Sequence, residues 1–373
     1  MLDIPVRIVA VEAWPLRVPL LHPMRLASET IAAAETLLVR VADAEGREGW
    51  GEASSAPTMT GDLLPGMTMA VRRFLAPALM GKPVASLAEA SSRLERAIRG
   101  NTGPKAATET ALLDLLARRA GTSLAGFLGA PRRSTLPVIR MVGEADPAAT
   151  LAGTAMAREE GFGHVKLKLG MGASPAADAR LVQQARAIAG DTTHLSGDAN
   201  MAWTADEALN FLRGLDPGAL DYLEQPVRDD DLDGMARCVA LGTCPICFDE
   251  GLHSLGDIAR HAEHRAANGV GLKAIKLGGQ QAMLAADSLA RRHGLRTTLA
   301  CKIAETSIGS AALAQIAALL PDVDWGVSVT HATLAEDVVA SPLSLKGGVL
   351  QVPQGEGIGV VPELSALRRL SAG

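Results

Sequence analysis

Five short apolar runs in the middle third of the chain each end in a charged residue just before a polar or glycine-containing turn. They are His164–Gly170 with Lys166 and Lys168, Leu195–Asn200 with Asp198, Asp221–Pro226 with Glu224, Pro245–Glu250 with Asp249, and Leu272–Gly279 with Lys273 and Lys276. From Lys168 to Asp198 is 30 positions, then 26 to Glu224, 25 to Asp249 and 24 to Lys273. That beat suits one strand, one helix and two short loops, and in a parallel barrel the residues at strand ends surround one mouth. Asp198, Glu224 and Asp249 would then offer three oxygen donors with no His or Cys at matching positions, which favours Mg²⁺, with Mn²⁺ as the alternative, over zinc. Taken singly, each acid could instead cap the helix that follows its strand. Three in register, flanked by lysines, point to a metal site, with Asn200 and Glu250 as auxiliary groups.

The lysines extend the reading. Lys166 and Lys168 lie two apart and share one face of a strand, and their apolar neighbours Val165, Leu167 and Leu169 argue against a solvated edge. Lys273 enters four strands later, from the opposite side of the mouth. Lys276, nearer Gly278 and Gly279, is expected at the rim. Two lysines facing each other across a divalent ion suit one chemistry: the ion binds a substrate carboxylate and one lysine removes the proton on the adjacent carbon. The second lysine can return a proton on the other face, assist a leaving group, or stand by as a cation.

The surrounding elements fit this placement. Residues 5–20 and 36–53 read as an antiparallel meander, and residues 62–129 turn helical, broken at Gly100–Pro104. Strands followed by helices describe an α+β unit, expected to end near Arg132. Residues 133–330 alternate strands with helices, the latter expected near 147–160, 175–189, 204–214, 229–241, 254–267, 280–293 and 307–320. Thr204 with Glu207 forms a capping box, and Ser254 is a second cap. Strands seven and eight are expected at Arg296–Cys301 and Val323–Val329. The fold class is therefore α/β, a (β/α)7–8 barrel with an N-terminal α+β cap at 1–132. A β-like tail, 331–373, is expected to return toward the cap.

Composition narrows the class. Of the 373 residues 48% are hydrophobic and 21% charged, with a net charge of -5, which suits a globular enzyme and gives no electrostatic case for nucleic acid. No apolar run reaches membrane-span length. Met1–Ile8 reads as a strand rather than a signal peptide, so a cytoplasmic location is expected. Cys244 and Cys247 form a C-x-x-C spacing, but they lie in an apolar strand and are expected as buried small hydrophobes; Cys238 and Cys301 have no disulfide framework.

At these residues the chain resembles the enolase superfamily in its muconate lactonizing enzyme subgroup. The resemblance rests on Lys166-Leu-Lys168, Asp198-Ala-Asn200, Glu224-Gln-Pro226, Asp249-Glu250, Lys273 to Gly279, and Glu305 to Gly309. It implies Mg²⁺ on Asp198, Glu224 and Asp249, an acid/base pair of Lys168 and Lys273 supported by Lys166, and a homo-oligomer acting on a small-molecule carboxylate. It also implies that loops near Leu21–Thr30 and Ser54–Gly61 close the mouth. The His base of the mandelate racemase branch is not matched, since His293 and His331 fall elsewhere, in surface or loop positions. The D-x-D pair with which dipeptide epimerases hold a substrate ammonium would fall on Val327 and Val329. Lys302, just after strand seven, is a departure that would suit a second substrate carboxylate, and Glu305 is a further substrate-binding candidate. A muconate-cycloisomerase-like reaction is expected; the alternatives are a racemase or epimerase of an amino-acid derivative and a dehydratase of a hydroxy acid.

Overall fold

The computed structural model describes residues 5–25, 30–143, 146–323 and 325–372. The first unit is a sheet of β1 (Ile8–Arg25), β2 (Thr30–Asp43) and β3 (Glu48–Ser54), antiparallel and in that order. Unbroken apolar sequence at Leu37-Leu38-Val39 is explained by burial of the central strand on both faces: Leu37 and Val39 pack into one cluster, Leu38 into another with Trp50. Helices follow: α1 (Leu64–Ala70), a π-helical turn at Val71–Leu75, α2 (Ala76–Leu79), α3 (Leu87–Ala97), α4 (Thr102–Arg119) and α5 (Leu124–Leu128). Gly49 and Gly51 let α4 lie directly on β3, since a Cβ at either would fall 2.2 and 2.1 Å from the carbonyls of Ala111 and Ala107.

The first barrel strand, which the sequence places at Leu136–Met141, divides in two. β4 (Thr135–Pro137) lies outside the barrel and β5 (Ile139–Val142) begins it. Then come α6 (Pro147–Glu159), β6 (His164–Lys168), α7 (Pro175–Ala189), β7 (His194–Asp198), α8 (Ala205–Arg213), β8 (Tyr222–Glu224) and α9 (Leu232–Leu241). The series continues with β9 (Ile246–Phe248), α10 (Leu255–Glu263), β10 (Gly269–Leu272), a single turn α11 (Ala274–Leu277), α12 (Gln280–Arg292), β11 (Arg296–Ala300), α13 (Ser307–Ala317) and β12 (Val327–Ser328). β5 to β12 form one eight-stranded sheet in sequence order, parallel throughout, with a bridge from Val138 to Val327 bringing its two edges together. The chain is thus an α/β barrel with an N-terminal antiparallel unit. Thr204 forms the capping box expected with Glu207, and Ser254, expected as a cap, forms one with Asp257.

Two expectations change. The tail returns to the first unit, with bridges from Leu334 to Leu20 and from Ser371 to Leu16, but its strands β13 (Leu345–Lys346) and β14 (Val349–Gln351) pair elsewhere, β14 with β4. Gly355–Val360 forms no strand. It turns onto α4 instead, where Asp114 accepts from the Ile358 N–H and Arg118 donates to the Val360 carbonyl. A final helix, α14 (Leu364–Leu370), follows. The eighth strand is only two residues long, where seven were expected, and Asp324 lies outside the described residues.

Acids from the first unit hold the barrel helices by their N-termini. Glu52 on β3 accepts from the Thr306 N–H and hydroxyl and from the Gly309 N–H, at the start of α13. Glu109 on α4 accepts from the Gln280 N–H and from Gln281 Nε2, at the start of α12. Exposed N–H groups and the helix dipole make such termini natural carboxylate sites. Gly279 is required there, because a Cβ would fall 2.0 Å from Glu109 Oε2.

Burial nonetheless raises the Glu109 carboxyl to about 7, against the pull of its hydrogen bonds to Gln281 and Gln280. Between its ordinary value and about 7 the native state binds the proton that the unfolded chain has released, so stability falls as pH rises through that window. At about 1.4 kcal/mol per tenfold change in proton affinity, the loss is on the order of 3 kcal/mol. Urea unfolding at pH 5 and pH 8 should therefore show a fall in wild type that is smaller by about this amount in Glu109→Gln, the remainder coming from other buried acids such as Glu250 and Glu305. An equal fall in both proteins would place its origin in other groups.

Candidate active site

Inward-facing residues of the barrel stack in layers, because alternate side chains of each strand share one face. At the floor His164 stacks on His194 with ring centroids 4.8 Å apart, and Tyr222 stacks on Trp325 at 4.3 Å. Above them Lys166 pairs in register with Ser196. At the C-terminal mouth Lys168, Asp198 and Glu224 stand side by side on β6, β7 and β8. Asp249 immediately follows β9 and Lys273 immediately follows β10. The structure therefore gathers Lys166, Lys168, Asp198, Glu224, Asp249 and Lys273 on the wall of one cavity of about 100 Å³.

Each carboxylate is turned toward a lysine. Lys168 Nζ donates to Asp198 Oδ2 at 2.6 Å and to Asn200 Oδ1 at 2.8 Å. Lys273 Nζ donates to Asp249 Oδ2. Lys166 Nζ donates to Glu224 Oε2 at 2.5 Å and sits 5.5 Å from the centre of the Tyr222 ring. Lys166, expected to support Lys168, lies one layer below it and gives its hydrogen bond to Glu224. Lys276 is a correction. It is not at the rim but buried, with its ammonium shared among Asp249 Oδ1, the Asp249 carbonyl and the Gly271 carbonyl. The lysines separate by exposure. The side chains of Lys168 and Lys273 keep 12% and 11% of their surface, whereas Lys276 keeps none and does not reach the cavity.

Electrostatics follow from burial and proximity. Burial raises the Glu224 carboxyl, opposed by Lys166, and it raises Glu250 to about 7, with Asp249 and Asp198 adding to the effect. Asp249 goes the other way: burial works against its charge, but Lys273 and Lys276 hold it below the ordinary carboxylate value. Lys166 is buried too, yet Glu224 holds its ammonium well above the ordinary value. Glu250 is tied into the arc by Asn200, which donates from Nδ2 to Glu250 Oε1 at 2.8 Å. Its other oxygen, Oε2, is buried with no hydrogen-bond partner among the described residues.

The remaining wall is apolar and carries few polar groups. Thr58 and Met59 reach it from the loop expected at Ser54–Gly61, joined by Met141, Met201, Ala300, Cys301 and Ile303. Of the other expected closing loop, residues 26–29 lie outside the described residues. Lys302 is 6% exposed and lines the cavity. Glu305 does not line it; it belongs to a smaller adjoining cavity with Glu52, Gln280 and Gly309, into which Lys273 and Lys302 also extend. Burial and the neighbouring Glu52 raise Glu305 to about 8. On strand eight Ser328, not the flanking valines, faces the cavity. His293 is exposed as expected, but His331 is buried, its ring nitrogens 3.0 Å from Ser310 Oγ and 2.8 Å from the Leu343 carbonyl. All four cysteines are buried and free.

The backbone is forced at the mouth. Asn200, Met201, Gln225 and Ala304 all have positive φ without being glycine, and all lie just beyond the ends of β7, β8 or β11. Such conformations cost of order 1–3 kcal/mol each and persist where surrounding structure holds them. Sequence reasoning passed over Gln225 and the three methionines, although Gln225 directly follows Glu224.

Comparison with known proteins gives a consistent frame. The profile described as "Mandelate racemase / muconate lactonizing enzyme, N-terminal domain" matches residues 8–129, and "Enolase C-terminal domain-like" matches residues 149–366. Muconate cycloisomerase 1 of Rhodococcus opacus is 31% identical over 366 residues, 97% of both chains. L-Ala-D/L-Glu epimerase of Bacillus subtilis (strain 168) is 29% identical over 357 residues, 95% of this chain and 97% of that one. Among solved structures, a muconate lactonizing enzyme from Pseudomonas fluorescens complexed with muconolactone superposes with a TM-score of 0.93 at 29% identity, covering 99% of this chain and 100% of that one.

Proposed function

The chain belongs to the mandelate racemase / muconate lactonizing enzyme family of the enolase superfamily, and from that premise we propose that it is a divalent-metal-dependent isomerase. It moves the proton on the carbon α to a carboxylate of a small molecule, in a reaction like that of the muconate cycloisomerases. The proton is delivered when a muconate closes to its lactone and removed in the reverse direction or in a racemisation. One observation carries the reading: Lys168 and Lys273 meet the cavity from opposite walls of the barrel, with Asp198, Glu224 and Asp249 between them.

The donor set fits a hard cation. All three groups are carboxylates, buried to within 4% of full enclosure, and Glu250 Oε2 adds an acceptor with no hydrogen-bond partner among the described residues. Among the described residues no three such side chains already converge on one point, since each is turned to an ammonium. Admitting a divalent ion requires Lys168 Nζ to leave Asp198 Oδ2 and Lys273 Nζ to leave Asp249 Oδ2. Mg²⁺, or Mn²⁺ in its place, supplies positive charge where the substrate carboxylate becomes more negative as the α-proton departs.

The protein does the rest. Lys168, freed from Asp198 and having released one ammonium proton to solvent, takes the α-proton from one face as a neutral amine; in the ring-closing direction its ammonium delivers that proton instead. Asn200 Oδ1 still holds its ammonium after the transfer. Lys273 stands on the other face, either to deliver a proton or to act as a cation. Lys166 and Lys276 stay as fixed charges that keep Glu224 and Asp249 ionised within a low-dielectric wall. Lys302 offers a further cation for a second anionic group, which suits a diacid or an N-acyl amino acid. The methionine-lined side receives an apolar skeleton. The absence of carboxylates at 327 and 329 disfavours a substrate ammonium at strand eight. A second reading, racemase or epimerase of an amino-acid derivative, is favoured by the similar surroundings of the two lysines; dehydration of a hydroxy acid needs the same first step. The enzyme is taken to act in the cytoplasm as a homo-oligomer.

Incubation with Mg²⁺ in D₂O against muconates, N-acyl amino acids, dipeptides and hydroxyprolines tests this. Conversion of a muconate to its lactone supports the cycloisomerase reading. Deuterium uptake with both enantiomers present and the skeleton unchanged assigns the racemase instead. Loss of water assigns a dehydratase. Turnover unaffected by a chelator overturns the metal-dependent reading.

A further inference from the structure

One fully buried residue links the ends of all three strands that carry the carboxylate arc, through its backbone and its side chain together. Gln225 follows Glu224 at the end of β8 and is 0% exposed. Its backbone N–H donates to the Cys247 carbonyl on β9 at 2.8 Å, and its carbonyl accepts from the Met201 N–H beyond β7 at 2.9 Å. The side-chain carbonyl Oε1 accepts from the Asp249 N–H at 2.8 Å and from the Gly251 N–H at 3.2 Å, while Nε2 donates to the Val227 carbonyl at 3.0 Å. The amide is therefore used on both sides, and its O and N assignment is fixed by partners of opposite kind. All this is achieved with φ at +34°, where a side chain is disfavoured and glycine would be at ease.

We propose that Gln225 is a positioning residue: its side-chain amide fixes the turn bearing Asp249 and Glu250 against Glu224, and so sets the spacing of the carboxylates for a divalent cation. The inference rests on the metal-binding reading above. A residue needed only for the turn would be better replaced by glycine, which relieves the strained φ. A residue needed for its amide would not. Groups that orient metal ligands from behind typically change affinity by 10–100-fold when removed.

The test uses Mn²⁺ alone as probe, with the full chain, by isothermal titration calorimetry and by thermal melting without added metal. Gln225→Gly is expected to melt within a few degrees of wild type and yet to bind Mn²⁺ about tenfold or more weakly. Gln225→Met, which keeps the bulk but leaves the Asp249 and Gly251 N–H groups without an acceptor, is expected to weaken binding similarly. Equal Mn²⁺ affinity in wild type and Gln225→Gly overturns the positioning role while leaving the metal site standing. A wild-type protein that takes up no Mn²⁺ overturns the metal reading and this inference with it.

Discussion

Lys168→Ala and Lys273→Ala will divide the two candidate reactions by the symmetry of their losses. If the enzyme is a racemase, each replacement lowers kcat for both directions by about 10²–10⁴, the usual worth of a placed acid or base. Exchange of the α-proton with solvent deuterium would then survive in one variant for one enantiomer only, because the remaining lysine still serves its own face. If the enzyme is a cycloisomerase, one variant falls by this factor while the other retains much of its rate. The lysines are also partners of buried acids, so the stability cost must be separated. Removing either leaves a carboxylate without its ammonium, a loss that reaches about 3–5 kcal/mol for a buried pair. Asp249 keeps Lys276 when Lys273 is lost, whereas among the described residues the Asp198 carboxylate is left with the Asn200 N–H alone as a hydrogen-bond donor. Lys168→Ala should therefore be the less stable variant. Assays at 10 °C and at 25 °C distinguish inactive from unfolded protein, and activity equal to wild type in both variants would sink the assignment of the pair.

The beat of the strand-end residues was legible because each βα unit delivers one charged side chain to the mouth, and a count along the chain preserves that order. Lys276 was not legible in that way. Strand periodicity sends it away from Lys273, but α11 begins immediately after β10, and a helical turn brings the third residue back to the same side. Lys276 thereby reaches under Asp249 to the Gly271 carbonyl. Glu305 lay in the stretch just beyond the expected seventh strand, yet its surroundings depend on Glu52, more than 250 positions earlier, and no local pattern reports such a contact. His331 read as a loop residue because it falls beyond the expected end of strand eight at Val329; its burial comes with contacts to Ser310 Oγ and the Leu343 carbonyl. Division of the first strand into β4 and β5 was hidden because Leu136 and Ile139 are both apolar, while one packs against β14 and the other inside the barrel.

Titrating Mg²⁺ into the protein should raise its melting temperature, and Glu224→Gln should abolish that rise. A ligand that binds only the native state stabilises it by about 2.7 kcal/mol at one hundred times its Kd, which for a chain of this size is on the order of 5 °C. Glu224 has two partners to answer to, the cation and Lys166, so the single variant mixes two losses. Without metal, Glu224→Gln strands the Lys166 ammonium in a site where it is only 4% exposed, and the melt should drop below that of wild type. Replacing both residues, Lys166→Met with Glu224→Gln, removes the stranded charge and should recover most of that drop. The double variant should still show no response to Mg²⁺. Recovery of the melt together with recovery of the Mg²⁺ response would mean that Glu224 serves Lys166 alone, and that the cation is held by Asp198 and Asp249 without it.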